Sequence, residues 1–216
     1  MLDQLYLFFE ALAFIVSVIQ LPRLKNTAYK YFAPYLLFIL VYEFGTINRW
    51  FGINGSNLWA ANITLFIFFL FYSLFLRRLI KTPVFKKWVS AAILLSVFCS
   101  IINNIFFQGF FKLDSATILL QFAILVIITC VYFYELMNYT HVHLSIVSLP
   151  GFWLNTGLLF FCLVNFLIYA SFAFLAYQQL MEFNLLFTIV ANLAIAILYS
   201  CLTVSFLCAR KVNSLL

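Results

Sequence analysis

Seven long apolar stretches, parted by short gaps that hold nearly all of the charge, leave this chain one kind of solution. A helix needs about 20 consecutive apolar residues to cross the hydrocarbon core of a bilayer. The stretches 5–20, 32–50, 58–76, 88–107, 115–134, 152–169 and 183–207 meet or approach that length. Strands of a membrane barrel would be about 10 residues long and would alternate in polarity. These runs are too long and too evenly apolar for that. The longest connection runs from Glu135 to Gly151, so the sequence predicts one all-α domain, a polytopic seven-transmembrane-helix bundle with no soluble domain.

The sidedness of the charge predicts the orientation. Ten of the twelve basic residues are Arg23, Lys25, Lys30, Arg77, Arg78, Lys81, Lys86, Lys87, Arg210 and Lys211, all in gaps or ends that lie on one side. Only Arg49 and Lys112 fall on the other. Basic residues collect on the cytoplasmic side, so the N-terminus is expected outside and the C-terminus in the cytoplasm. Trp50 and Trp59 would then anchor the outer interface, and Trp88 and Trp153 the inner one. The net charge of +6 is a topology signal rather than a nucleic-acid footprint, because no basic face exists outside these gaps. The first residues lack the positive start and small-residue cleavage site of a signal peptide, so the first helix is expected to act as the insertion signal.

Charged groups inside membrane helices cost about 2.5–3.5 kcal/mol on insertion scales and normally face the bundle interior or water. Glu10 and Glu43 are such groups, and helical rise sets both at about 10 Å below the outer surface. Asn62, Asn103, Asn104, Gln108 and Gln121 reach the same outer half, with Arg49 near the mouth and Asn165 and Asn192 nearer mid-membrane. Ser96, Ser100, Asn104 and Gln108 recur every four residues and line one face of the fourth helix. The inner half shows fewer polar groups, mainly Asn155, Thr156 and Thr203. Two readings stand side by side. In one, the layer is an outward-open cavity that binds a small ligand or ion through Glu10, Glu43, Arg49, Asn62, Asn103, Asn104, Gln108, Gln121, Asn165 and Asn192. In the other, the amides and hydroxyls are glue between helices.

The remaining motifs carry less chemistry. Cys99, Cys130, Cys162, Cys201 and Cys208 all fall in helices without a C-x-x-C pair, which predicts packing residues. His141 and His143 lack a third metal ligand unless Glu135 turns towards them, and are read as a solvated loop. Asn54-Gly55-Ser56 fits a glycosylation acceptor and equally a plain turn. No G-x-x-x-G occurs, and the glycines fall mostly at helix ends, so close helix packing is expected from Ala and Ser. The 29 Phe residues suggest a lipid-facing coat. The segment from Arg77 to Lys87 alternates basic and apolar residues, so Leu79, Ile80 and Phe85 can dip into the interface. That segment is also the candidate docking surface for a cytoplasmic protein.

No lysine lies in a helix core, which excludes a retinal Schiff base. Neither a Gly-flanked nucleophilic serine with a distant histidine nor a phosphate-binding loop is present. No catalytic residues, metal or cofactor are expected, and the partners expected are the bilayer, a small molecule from outside and a cytoplasmic protein, with no nucleic acid.

Two resemblances enter here. Gln20-Leu21-Pro22-Arg23, at the inner end of the first helix, resembles in part the Pro-Gln motif of PQ-loop and SWEET-type transporters. Its order is reversed, and the matching place after the fifth helix, 135–140, has no proline. Asn103-Asn-Ile-Phe-Phe-Gln108 together with Phe152-Trp-Leu-Asn-Thr-Gly157 resembles an uncharacterised family of seven-helix proteins from Bacteroidota. That resemblance implies a seven-helix fold in the cytoplasmic (inner) membrane and no particular activity. The function expected is a non-enzymatic sensor or receptor-like module. A small-solute or ion transporter and a structural subunit of a membrane complex are the alternatives.

Overall fold

In a bilayer every backbone N–H and C=O must be satisfied within its own segment, and continuous apolar runs answer this by forming helices. The computed structural model describes residues 5–24, 27–53, 56–107, 109, 111–139, 145–175 and 181–213, with side chains over 6–24, 27–53, 56–107, 109, 111–138, 145–171 and 188–209. Over these it is helical: α1 (Leu5–Leu24), α2 (Phe32–Ile47), α3 (Leu58–Leu79), α4 (Pro83–Ile102), α5 (Ser115–Tyr139), α6 (Pro150–Leu175) and α7 (Met181–Asn213). No named strand occurs among the described residues; Ile53 and Ser56 form an isolated bridge. Six helices are long and apolar enough to cross a membrane, which makes this a multi-pass membrane protein by length and composition.

The exception is α2, which has 16 residues and spans about 24 Å by helical rise. It ends at Ile47 rather than at Trp50, for a local reason. The Trp50 amide bonds back to the Gly45 carbonyl at 2.8 Å and the Arg49 amide to the Thr46 carbonyl at 3.1 Å. This crossed pair of bonds is a Schellman closure, which places the residue after the C-cap in the left-handed region. That residue is Arg49, with φ at 58°. A 3₁₀ turn over Ala28–Tyr31 precedes α2, its Tyr29 amide accepted by the Thr27 hydroxyl at 3.3 Å. The turn adds about 8 Å at roughly 2 Å per residue.

At the other end of α3, the bend into α4 is tighter than the apolar pattern suggested. α4 begins at Pro83 instead of Trp88, with the proline in the first turn, where its missing N–H costs nothing. The two amides before it, Lys81 and Thr82, are both accepted by the Glu135 carboxylate, at 2.7 and 2.8 Å. Ile80 in this bend is 1% exposed and part of the core. It therefore cannot dip into the membrane surface as the alternating pattern implied.

Packing is led by α7, which lies along α6 and α1; α5 lies along α6, and α3 along α5. α4 is peripheral: 22% of its spanning window is buried, the least of the six. The α6–α7 contact depends on one glycine in a helix interior. A Cβ on Gly157 would stand 2.7 Å from the Cys201 Cβ and 3.3 Å from the Leu198 Cα. Close approach at this crossing thus comes from Gly157, contrary to the expectation that Ala and Ser supply it.

The core is aromatic. Phe32, 0% exposed, meets Tyr29, Tyr35, Phe71, Tyr72, Phe75 and Phe206, mostly edge to face. Lipid tails are as apolar as the side chains, so helices in a bilayer associate through packing rather than by escaping water. Large rings in edge-to-face pairs supply that packing. Phenylalanine therefore fills the interior as well as coating the outside, where Phe8, Phe98, Phe106 and Phe107 are exposed.

Candidate functional site

The ten residues named from the sequence fall in two separate places, and some in neither. The first place is the interior between α1, α2, α3 and α7. Glu10 is 1% exposed, and neither of its carboxylate oxygens has a hydrogen-bond partner. The Tyr199 hydroxyl of α7 lies beside it, outside bonding geometry for either oxygen. Tyr35 of α2 and Tyr72 of α3 are within electrostatic reach, and both their hydroxyls are buried without a partner. Glu43, half-buried, is also within reach of Glu10 and accepts a bond from the Tyr6 hydroxyl at 3.0 Å. The result is a bare carboxyl inside a ring of phenols.

Further along α7, the Tyr29 hydroxyl is buried and faces Ser205, whose own hydroxyl donates to the Pro150 carbonyl at 2.7 Å. Buried phenols therefore continue beyond Tyr35 and Tyr72 into the half that the sequence reading took as nearly apolar. Tyrosine hides there because its ring counts as apolar while its hydroxyl does not. The signal that could have found it is several tyrosines inside spans whose other residues are hydrocarbon.

The second place is the far end of α3, α4 and α5. Asp114 precedes α5 as its N-cap; its carboxylate accepts the Thr117 amide at 3.3 Å. The Asn103 side chain donates to one carboxylate oxygen and Asn104 to the other, at 3.2 Å for Asn104. Asn62 completes the knot, accepting the Asp114 amide at 3.1 Å and donating to the Lys112 carbonyl at 2.7 Å. A π turn over Asn103–Phe107 follows α4. In regular helix, neighbouring residues point 100° apart; the wider turn lets both asparagines meet one carboxylate. A cleft of about 330 Å³ opens beside the knot, lined by Asn62, Ser100, Asn104, Asp114, Thr117 and Gln121 with apolar neighbours. Asp114 was not singled out from the sequence, although an Asp before Ser115 and an apolar run is an N-cap pattern.

The others lie apart. Arg49 is exposed and caps α2, and among the described residues no ion pair joins it to Glu10 or Glu43. Asn165 is buried, with its amide on the Phe161 carbonyl of its own helix at 2.9 Å. Asn192 is half-buried on α7. Gln108, His141, His143, Asn54 and Gly55 lie outside the described residues.

Many polar side chains answer neither to cavity nor to glue. Asn155, Thr156, Thr129, Ser200 and Thr203 each bond the carbonyl four residues back in their own helix. Short polar side chains can place a donor this way in a helix, although the hydroxyls of Ser73 and Ser96 and the Asn155 amide oxygen stay without a partner. Glu10 does not: neither of its oxygens meets the carbonyl a turn back or any other partner.

The fold and site together define a multi-pass helical membrane protein with a buried, unpartnered carboxyl among phenols. No family model matches the chain, and no curated protein or solved structure is significantly similar to it.

Proposed function

We propose that this chain is a non-enzymatic, receptor-like protein of the cytoplasmic membrane. It crosses the bilayer seven times, with its N-terminus outside and its C-terminus inside. Its ligand is a small cation or protonated amine that arrives from the outer side and pairs with Glu10. The observation that carries this reading is the pair of bare Glu10 oxygens in a site 1% exposed. A buried carboxyl whose oxygens lack hydrogen-bond partners leaves an unmet cost of about 1–3 kcal/mol. A ligand that brings N–H donors and positive charge removes that cost. Glu43 and Tyr6, bonded to each other, stand next in line from the outer end of α1. A ligand that binds one arrangement of α1, α2 and α7 better than another shifts the equilibrium between them. The basic segment between Arg77 and Lys87 is the surface through which a cytoplasmic partner reads that shift.

A second reading has its own observation. The buried hydroxyls of Tyr35, Tyr72 and Tyr29 extend polar groups past Glu10, along the route a transporter of protons or small cations needs. One experiment separates the two. Small amines and monovalent cations are screened for their effect on the melting temperature of the purified protein, and for uptake into liposomes with and without a proton gradient. The receptor reading expects stabilisation that is lost in Glu10→Gln, with no uptake. Uptake that depends on both the gradient and Glu10 replaces it with the transporter. Absence of both Glu10-dependent stabilisation and Glu10-dependent uptake overturns both.

A further inference from the structure

A second cavity lies on the basic side and shares only Tyr35 with the surroundings of Glu10. Along their inner halves α2 and α3 make few close backbone approaches, and a groove of about 480 Å³ remains between them. Its lining is almost wholly apolar, with Tyr35, Phe38, Ile67 and Phe71 along it and Tyr31 and Arg78 at one end. Tyr35 of α2 and Phe71 of α3 stack on each other at 3.9 Å with an interplanar angle of 3°. From the Arg78 end the groove extends about 10 Å along α2 to Phe38 and about 16 Å along α3 to Ile67, by helical rise. That is a slot shaped for a hydrocarbon chain lying parallel to the helices.

The charged end is as distinctive as the slot. The Lys30 ammonium stands 5.2 Å from the Tyr31 ring centroid and the Arg78 guanidinium 4.9 Å from the same ring. Two cations gathered on one ring repel each other. Among the described residues no carboxylate forms an ion pair with either, and Glu135 is committed to the amides of Lys81 and Thr82. The Tyr31 phenol itself is pulled below its ordinary value, first by the hydrogen bond from Arg78 and then by the charge of Lys30. The end of the groove is thus a positive field awaiting an anion.

We propose that this groove binds one anionic phospholipid from the leaflet on the Arg78 side, its acyl chain against Phe38, Ile67 and Phe71 and its phosphate between Arg78 and Lys30. Arginine presents a planar fork that fits phosphate oxygens, and lysine adds a point charge. A transmembrane helix from a partner would match the apolar slot but would leave the two cations unanswered. The inference is independent of the Glu10 site.

The test is native mass spectrometry of the purified full chain in mixed micelles of detergent with phosphatidylglycerol or phosphatidylcholine. One phosphatidylglycerol is expected to stay bound while phosphatidylcholine is stripped. Removing both cations in Lys30→Gln/Arg78→Gln should weaken retention about 25-fold, at about five-fold for each basic residue near an anionic headgroup. Leu74→Trp, which fills the slot from its lipid side, should abolish retention with helical content unchanged by circular dichroism. Lys86→Gln/Lys87→Gln removes equal charge elsewhere in the basic gap and should change little. The proposal is overturned by equal retention of the two lipids, by equal loss in the Lys86/Lys87 variant, or by retention that survives Leu74→Trp. Displacement of the lipid by soluble glycerol phosphate would show a headgroup site without the chain and also overturns it, as does a lipid-free dimer.

Discussion

The Tyr6 hydroxyl donates to the Glu43 carboxylate at 3.0 Å, joining α1 to α2. Hydrogen bonds between helices in membranes average about 0.6 kcal/mol and reach about 1.7 kcal/mol in double-mutant cycles. A cycle of Tyr6→Phe with Glu43→Leu, which removes the acceptor, read from unfolding in mixed micelles, is expected to give coupling in that range. Strictly additive effects would mean that the bond contributes nothing.

Asp114 supports three elements at once. Asp114→Ala removes the α5 N-cap and leaves Asn103 and Asn104 without their common acceptor. Loss of a cap costs about 1 kcal/mol, and the loss of the part-buried bonds from Asn103 and Asn104 about 1 kcal/mol more. Asp114→Asn keeps one acceptor oxygen and should lose less than half as much. Equal melting temperatures for wild type and Asp114→Ala would contradict the knot.

Arg49 is best tested by removing its side chain altogether. It holds φ at 58° as the residue after the α2 C-cap. A non-glycine residue pays about 1 kcal/mol or more for that conformation. Arg49→Gly should therefore stabilise the protein by about 0.5–1 kcal/mol and leave amine binding unchanged. A fall in stability, or lost binding, would return Arg49 to the ligand site.

Gly157 is the steric counterpart. Gly157→Ala presses a methyl onto Cys201, whose Cβ would be 2.7 Å away. Overpacking of this kind costs about 1–3 kcal/mol. Cys201→Gly should restore part of that loss, and an absence of rescue would place the clash elsewhere.

Orientation is checked by labelling. In a background without the five native cysteines, Ser56→Cys should react with a membrane-impermeant maleimide on intact cells and Thr82→Cys should not. The reverse pattern would invert the bundle, and with it the side from which a ligand reaches Glu10.

Helix existence was legible because apolar length survives any choice of partner. Helix ends were less so. The stop at Ile47 comes from a left-handed arginine after Asn48, and the start at Pro83 from a proline in the first turn, signals that apolar length alone passes over; the bend before Pro83 is held by a carboxylate 53 residues beyond Thr82 in α5. Glu10 and Glu43 were visible as charges among hydrocarbon, and the structure brings them within reach of each other. Of their phenolic surroundings only Tyr199 was visible, on one helix face with Thr188, Asn192 and Thr203; Tyr35 and Tyr72 sit in apolar runs and join it only when three helices meet. The amides split for a similar reason. Asn62 and Asn104 lie across a shared cleft with Gln121, while Asn165 turns back on its own helix, and helical spacing alone does not distinguish these fates.

The Glu135 clamp also imposes an order of assembly. The amides of Lys81 and Thr82 leave the ribosome 54 and 53 residues ahead of the carboxylate that accepts them. While α3 and α4 enter the bilayer, their connecting bend has two N–H groups that only water or headgroups can satisfy. It stays at the surface and free to slide. When α5 arrives, its last turns deliver the carboxylate and lock the bend in place. The depth of α3 and α4 is thus set by a helix made after them, and truncation before Glu135 should leave that hairpin with its register unchosen.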